Sequence, residues 1–294
     1  MKKALLFIFA FTFSPDFTLA QGINFSSSDT NPIEVTASDG IELHQKSNKV
    51  VARGKAIAKR SGSTLSSDVI EAYYRSKKPQ GNEIYRLKAT GNVVMKYSEE
   101  TAKGKEAEYS LDISMLSLKG EPAEFTTKGD IVTAKTLEYW QKQELVIAKD
   151  SATLQRDNRS ISADKISALF SKDKDGQLVV EKMQADGNVI INTEKEQATG
   201  DVATYNPKTG VAILLGNVKL TQNGNYMTGE KAVVNLSTGI SKLYANSTEK
   251  ATEGRVKGLF LPQSAKKDNL TPVRENTELT EQVKKEEKDI NDKR

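Results

Sequence analysis

Cysteine is absent from the 294 residues, and histidine and tryptophan occur once each. Without thiols there are no disulfides, no thiolate nucleophile and no Cys-ligated zinc or iron–sulfur site. His44 alone rules out a multi-histidine metal centre, so no cofactor, metal or enzymatic machinery is expected. One-sided charge is missing too: 43 Lys and Arg are scattered evenly among 39 Asp and Glu. Such a surface has no concentrated basic field, and no nucleic-acid partner is expected. Long hydrophobic runs are also lacking. The longest, Ala4 to Phe13 behind Lys2 and Lys3, is too short for a bilayer core of ~30 Å, and small residues in Thr18-Leu19-Ala20 supply a cleavage site. Residues 1–20 therefore read as a secretory signal peptide, and a periplasmic location is expected for a chain whose remaining charge is +3.

What is present is a repeat. Gly54-Lys-Ala-Ile-Ala, Gly91-Asn-Val-Val-Met, Gly120-Glu-Pro-Ala-Glu, Asp150-Ser-Ala-Thr-Leu, Gly187-Asn-Val-Ile-Ile and Gly216-Asn-Val-Lys-Leu are spaced by 37, 29, 30, 37 and 29 residues. The recurring order 37, 29 indicates a duplicated three-repeat unit. The additional residues coincide with Ser76–Gly81 and Ser171–Gly176, polar stretches that read as elongated turns. A second landmark follows each anchor by 13 or 14 residues: a small residue and then a charge, as in Ser67-Asp68, Ala163-Asp164 and Gly200-Asp201. Apolar residues alternate on both sides of the landmarks, which is a strand signal with period two.

The alternation assigns faces. Leu87, Ala89, Val93 and Met95 share parity with Gly91; Met183, Ala185, Val189 and Ile191 with Gly187; Ala212, Leu214, Val218 and Leu220 with Gly216. The opposite parity is mostly polar. A glycine on the apolar face lets a long strand bend inward. About six such hairpin repeats predict an all-β fold: a long, twisted antiparallel sheet, V-shaped or a flattened jelly-roll, with an apolar interior. Many interior positions are alanine and aromatics make up only 6% of the chain, which leaves room for hydrocarbon at about 0.8 kcal/mol per buried methylene. The candidate lipid-binding groove comprises Ala56, Ala58, Leu87, Val93, Met95, Leu116, Leu118, Leu154, Met183, Val189, Ile191, Leu214, Val218 and Leu220. The duller alternative is a structural or adhesive exported β-repeat protein with a filled core and no lipid ligand.

Gly120-Glu-Pro-Ala-Glu-Phe125, Asp150 to Gln155, Ile161 to Ile166, the two Gly-Asn-Val motifs and the ending Arg255-Val-Lys-Gly-Leu-Phe-Leu-Pro262 together resemble the LptA/OstA-like family of periplasmic lipopolysaccharide transport proteins. The resemblance spans residues 31–261. It implies a bridge that holds lipid A acyl chains inside the fold and guides lipopolysaccharide from the inner to the outer membrane without its own energy source. It also implies partners joined by edge-strand pairing. An inner-membrane OstA-like component would meet the N-terminal edge, Pro32 to Ala37, through Ile33 and Val35. The outer-membrane lipopolysaccharide assembly protein, or another copy in a head-to-tail homo-oligomer, would meet the C-terminal edge through Val256, Leu259 and Leu261. Residues 262–294, equally basic and acidic, read as a disordered charged tail. Lys59, Arg60, Lys96 and Arg156 are strand-end cations that could meet lipid A phosphates, but a solvated charged face is the safer reading of them. His44, in a polar stretch, reads as an exposed turn residue.

Overall fold

A computed structural model describes residues 32–77, 81–235, 238, 240–245 and 255–260. The expected signal peptide and charged tail lie outside these. The chain divides into two compact units, residues 1–259 and 260–294. Of the second unit only Phe260 is described, and it is exposed.

Among the described residues of the first unit, sixteen strands form one sheet. They are β1 (Glu34–Thr36), β2 (Gly40–His44), β3 (Lys49–Arg60), β4 (Ser63–Lys77), β5 (Gly81–Tyr97), β6 (Glu100–Ser110), β7 (Met115–Thr126) and β8 (Asp130–Trp140). They continue as β9 (Leu145–Arg156), β10 (Arg159–Lys172), β11 (Leu178–Asn192), β12 (Glu196–Asn206), β13 (Val211–Gln222), β14 (Asn225–Asn235), β15 (Ile240–Tyr244) and β16 (Lys257–Leu259). From β3 to β15 each strand pairs antiparallel with the next in sequence. Turns are short because their sequences suit left-handed backbone: Ser61-Gly62 and Asn223-Gly224 both take two consecutive positive φ values, as tight hairpins require.

Every long strand crosses a crease. At β5, Thr90 faces Glu106 and Val93 faces Gly104, so three steps on one strand oppose two on the other. The same slip recurs at Gly187 and Gly216. Each is a bulge in which Gly91, Gly187 and Gly216 (φ +78°, +77° and +73°) are followed by Asn92, Asn188 and Asn217 at φ +47°, +49° and +49°. Bulges of this kind bend and twist a sheet. The crease divides the sheet into two layers: β2 and β15 belong to the first, and β1 and β16 to the second. Both edge strands are therefore split at the crease, since β1 and β2 both pair with β3, and β15 and β16 both pair with β14.

Two readings of the sequence need correcting. The flanking residues keep the expected parity, but the corner glycines themselves do not face the interior. A Cβ on Gly91, Gly187 or Gly216 would lie 2.2 Å from an Oδ2 atom of Asp68, Asp164 or Asp201. The residue is glycine because left-handed backbone and a carboxylate share its outer side. The carboxylate in turn accepts from the following asparagine, at 3.1 and 2.9 Å for Asn92 on Asp68 and at 2.9 Å for Asn217 on Asp201. The second correction concerns the elongated turns. Ser76, Lys77, Ser171 and Lys172 extend the ladder, pairing with Asn82, Gly81, Val179 and Leu178. One further slip in each hairpin accommodates Tyr85 and Glu181.

The duplication is visible in the backbone. The 3-10 turns Gln45–Ser47 and Gln141–Gln143 end on left-handed Asn48 and Glu144, 96 residues apart. Tyr74 N–H donates to Asn48 O and Phe170 N–H to Glu144 O, both at 2.9 Å.

Candidate lipid-binding trough

Alternation along each strand places one apolar row of the first layer beside the crease. Strand by strand from β3 to β14 it reads Ala52, Ile70, Ala89, Ala107, Leu118, Leu137, Ala148, Ile166, Ala185, Ala203, Leu214 and Ala232. All twelve are buried. Small residues line the crease from the second layer as well: Ala56, Ala123, Ala134, Ala152 and Ala163 are buried there. Large side chains at every one of these positions would hold the layers apart, so alanine fills seven of the twelve in the first row.

The fourteen residues expected in the groove all lie on this inner face. Thirteen are buried in the core, and Leu116 is half-buried against it. Among the described residues, two cavities stand out between the layers. The larger encloses about 1010 Å³ of unfilled space, part of it open to solvent, and is lined by Met95, Leu116, Leu118, Leu154 and Met183 from the expected set. The smaller encloses about 680 Å³ and is lined by Met183, Ile191, Leu214 and Leu220. Ala56, Ala58, Leu87, Val93, Val189 and Val218 line neither, and serve as packed floor.

The sequence reading did not single out the aromatic lining. Phe125, Tyr139 and Phe170 border the larger cavity and Tyr205 the smaller. Inward parity was the available signal for Tyr139 and Tyr205. Burial pushes the phenol pKa of both upward, and Glu144 and Glu100 raise that of Tyr139 further. Neutral phenols in so apolar a lining are consistent with a cavity of low polarity.

The two lips differ. Ser63, Glu100, Asp130, Arg159, Glu196 and Asn225 each begin a strand returning through the second layer, and all but Arg159 are buried. They share a face with Leu65, Ala102, Val132, Ile161, Ala198 and Met227 two residues on, so this lip is polar on its inner side. Arg156 is committed there: its Nε and Nη2 donate to the two Asp130 oxygens at 2.5 Å. The bidentate pair leaves little of Arg156 for a lipid phosphate. Glu196 accepts from the Gln222 amide, and burial raises its pKa. The first layer's lip is apolar instead, with Phe170, Leu178 and Val180 buried and Ile84 and Leu111 half-buried.

At the edges, Ile33 and Val35 are half-buried, whereas Val256 and Leu259 are exposed; Leu261 lies outside the described residues. Edge residues that the sequence did not single out are Ile41 and Leu43 on β2 and Ile240 and Tyr244 on β15, all exposed. His44, expected as an exposed turn residue, is instead the half-buried last residue of β2, just before the 3-10 turn, with its Nε2 2.6 Å from Glu42 Oε2.

A creased antiparallel sheet with an apolar trough, one polar lip and, among the described residues, edge strands paired on one side only defines an open β-trough protein. The family described as LptA/(LptD N-terminal domain) LPS transport protein matches residues 34–145 and again residues 132–240, so the chain belongs to this family of lipopolysaccharide transport proteins. The two matches correspond to the two halves of the internal duplication. Among solved structures, LptH, the LptA-homologous periplasmic component of the lipopolysaccharide transport device of Pseudomonas aeruginosa, is 15% identical. That likeness covers 79% of this chain and 96% of LptH, with a TM-score of 0.21, too low to bear on function. Among curated proteins, none matches.

Proposed function

We propose that the chain is a periplasmic carrier whose trough takes up the lipid A acyl chains of lipopolysaccharide and guides the molecule from the inner to the outer membrane. The observation that carries this reading is unfilled apolar space between the layers of a lipopolysaccharide-transport family member. Acyl chains bury methylenes there, at about 0.8 kcal/mol each, while sugars and phosphates stay at the open side near the polar lip. The chain binds and orients; the energy for transport comes from elsewhere. β1 and β2 form the edge offered to an inner-membrane OstA-like component. β15 and β16 form the edge offered to the outer-membrane assembly protein or to another copy head to tail, each joining by strand addition.

Purification from a bacterial envelope without detergent, followed by lipid analysis, tests the reading. Lipid A is expected to co-purify with the wild-type chain and to be largely lost when Ala148 and Ala203 are both replaced by tryptophan. A folded wild-type chain that returns no lipid A would favour the structural alternative.

A further inference from the structure

We propose that the trough is partitioned into two acyl compartments by a ridge of Ile166 and Met183, so that one chain carries the hydrocarbon of two lipid molecules at once. This rests on the lipid-carrying reading above and adds to it a number and a boundary.

The two cavities have two lining residues in common, Ile166 and Met183. These are diagonal neighbours on the inner face of β10 and β11: Ile166 faces Ala185 and Met183 faces Ala168. Ile166 is bulky between two alanine partners, Ala148 and Ala185, and Met183 continues the ridge between Ala168 and Tyr205. Along the row of Ile166 the floor falls to Ala148 of β9 on one side and to Ala185 and Ala203 of β11 and β12 on the other; Ala148 lines the larger cavity and Ala203 the smaller. The facing halves of the same two strands carry Ile161 opposite Ile191, so both layers are bulky where the partition falls.

The pattern recurs one duplication earlier. Ala52, Ile70, Ala89 and Ala107 occupy the places of Ala148, Ile166, Ala185 and Ala203. Leu87 takes the place of Met183, and Leu65 lies opposite Met95 in the facing layer. Ridges thus recur every six strands, about 29 Å apart at a strand spacing of ~4.8 Å, and the larger cavity occupies the interval between them. Duplicating the repeat therefore added a second compartment as well as length.

Native mass spectrometry of the full chain, titrated with lipid A bearing a terminal diazirine on one acyl chain, tests the partition when combined with photolabelling and peptide mapping. Wild type is expected to saturate at two lipids per chain, with label on β8–β9 and on β12–β13. Ala203→Trp is expected to halve labelling by removing the β12–β13 signal, leaving the affinity of the other site within about twofold; Ala148→Trp is expected to do the reverse. Replacing both Ile166 and Met183 by alanine should abolish this independence. Saturation at one lipid, or loss of both labels in either single variant, overturns the partition while leaving the carrier reading intact. No labelling of wild type overturns the carrier reading and the partition with it. Should a tryptophan variant fail to fold, Ala203→Leu and Ala148→Leu and the wild-type stoichiometry decide the question.

Discussion

Asp164 and Gly187 show how single residues set the crease. The glycine's left-handed backbone and the carboxylate over its outer side both exclude a β-carbon. Gly187→Ala is therefore expected to destabilise the fold by about 1–3 kcal/mol, measured by urea unfolding. Gly176→Ala, at a turn with the same φ of +77° but nothing within 4 Å of the added carbon, should cost only ~1 kcal/mol. A double-mutant cycle with Asp164→Ala should show coupling between Gly187 and Asp164. Glu196 yields a pH prediction. Its folded pKa stands above the ordinary 4.5 because burial disfavours the charge. In both states it is protonated well below 4.5 and costs nothing there; as pH rises through the folded pKa, the buried charge lowers stability. Glu196→Gln should thus be more stable than wild type at neutral pH, with the gap closing on acidification, as thermal melts at several pH values would show. The Gly-Asn and small-then-charged landmarks were legible as repeats because spacing is a property of sequence. That the glycine's open side meets an aspartate of the preceding strand was not, since alternation says nothing of which side a left-handed residue presents.

At the level of strands, alternation identified the inner face wherever the ladder is regular, because burial on one side of a pleated sheet imposes period two. It failed where the ladder slips: the residues inserted at Tyr85 and Glu181 interrupt the period of β5 and β11. The ends of β4 and β10 looked like turn because they are polar. Phe170 keeps the parity of Ile166 and Ala168 on β10 and lines the larger cavity. Phe170→Ala is expected to cost roughly 3 kcal/mol by cavity enlargement and to widen the bordering compartment, observable as a lower unfolding midpoint and faster lipid release. The N-terminal edge was half legible. β1 was found, but Ile41 and Leu43 alternate with polar residues and gave no core signal. They are 52% and 60% exposed, so charging both, as Ile41→Lys with Leu43→Lys, should change stability by less than about 0.5 kcal/mol yet block strand addition at that edge. In-cell crosslinking to the inner-membrane partner proposed above would register the loss.

For the molecule as a whole, the 96-residue duplication is the organising fact, appearing in the anchor spacings, in the paired 3-10 turns and in the two family matches. The all-β architecture was legible because six repeats in register specify one stacked sheet. The cavities were legible only as an alanine excess; their boundaries depend on which residues become neighbours across strands, and that requires register. The central claim is that hydrocarbon travels between the two layers. Its most direct test is a photoreactive amino acid placed at Met95, Ile191 or Leu220 inside and at Lys96 or Lys219 outside, followed by irradiation of living cells and detection of crosslinked lipopolysaccharide. Adducts are predicted at the three inner positions and not at the two outer ones. Adducts confined to the outer positions would contradict the account.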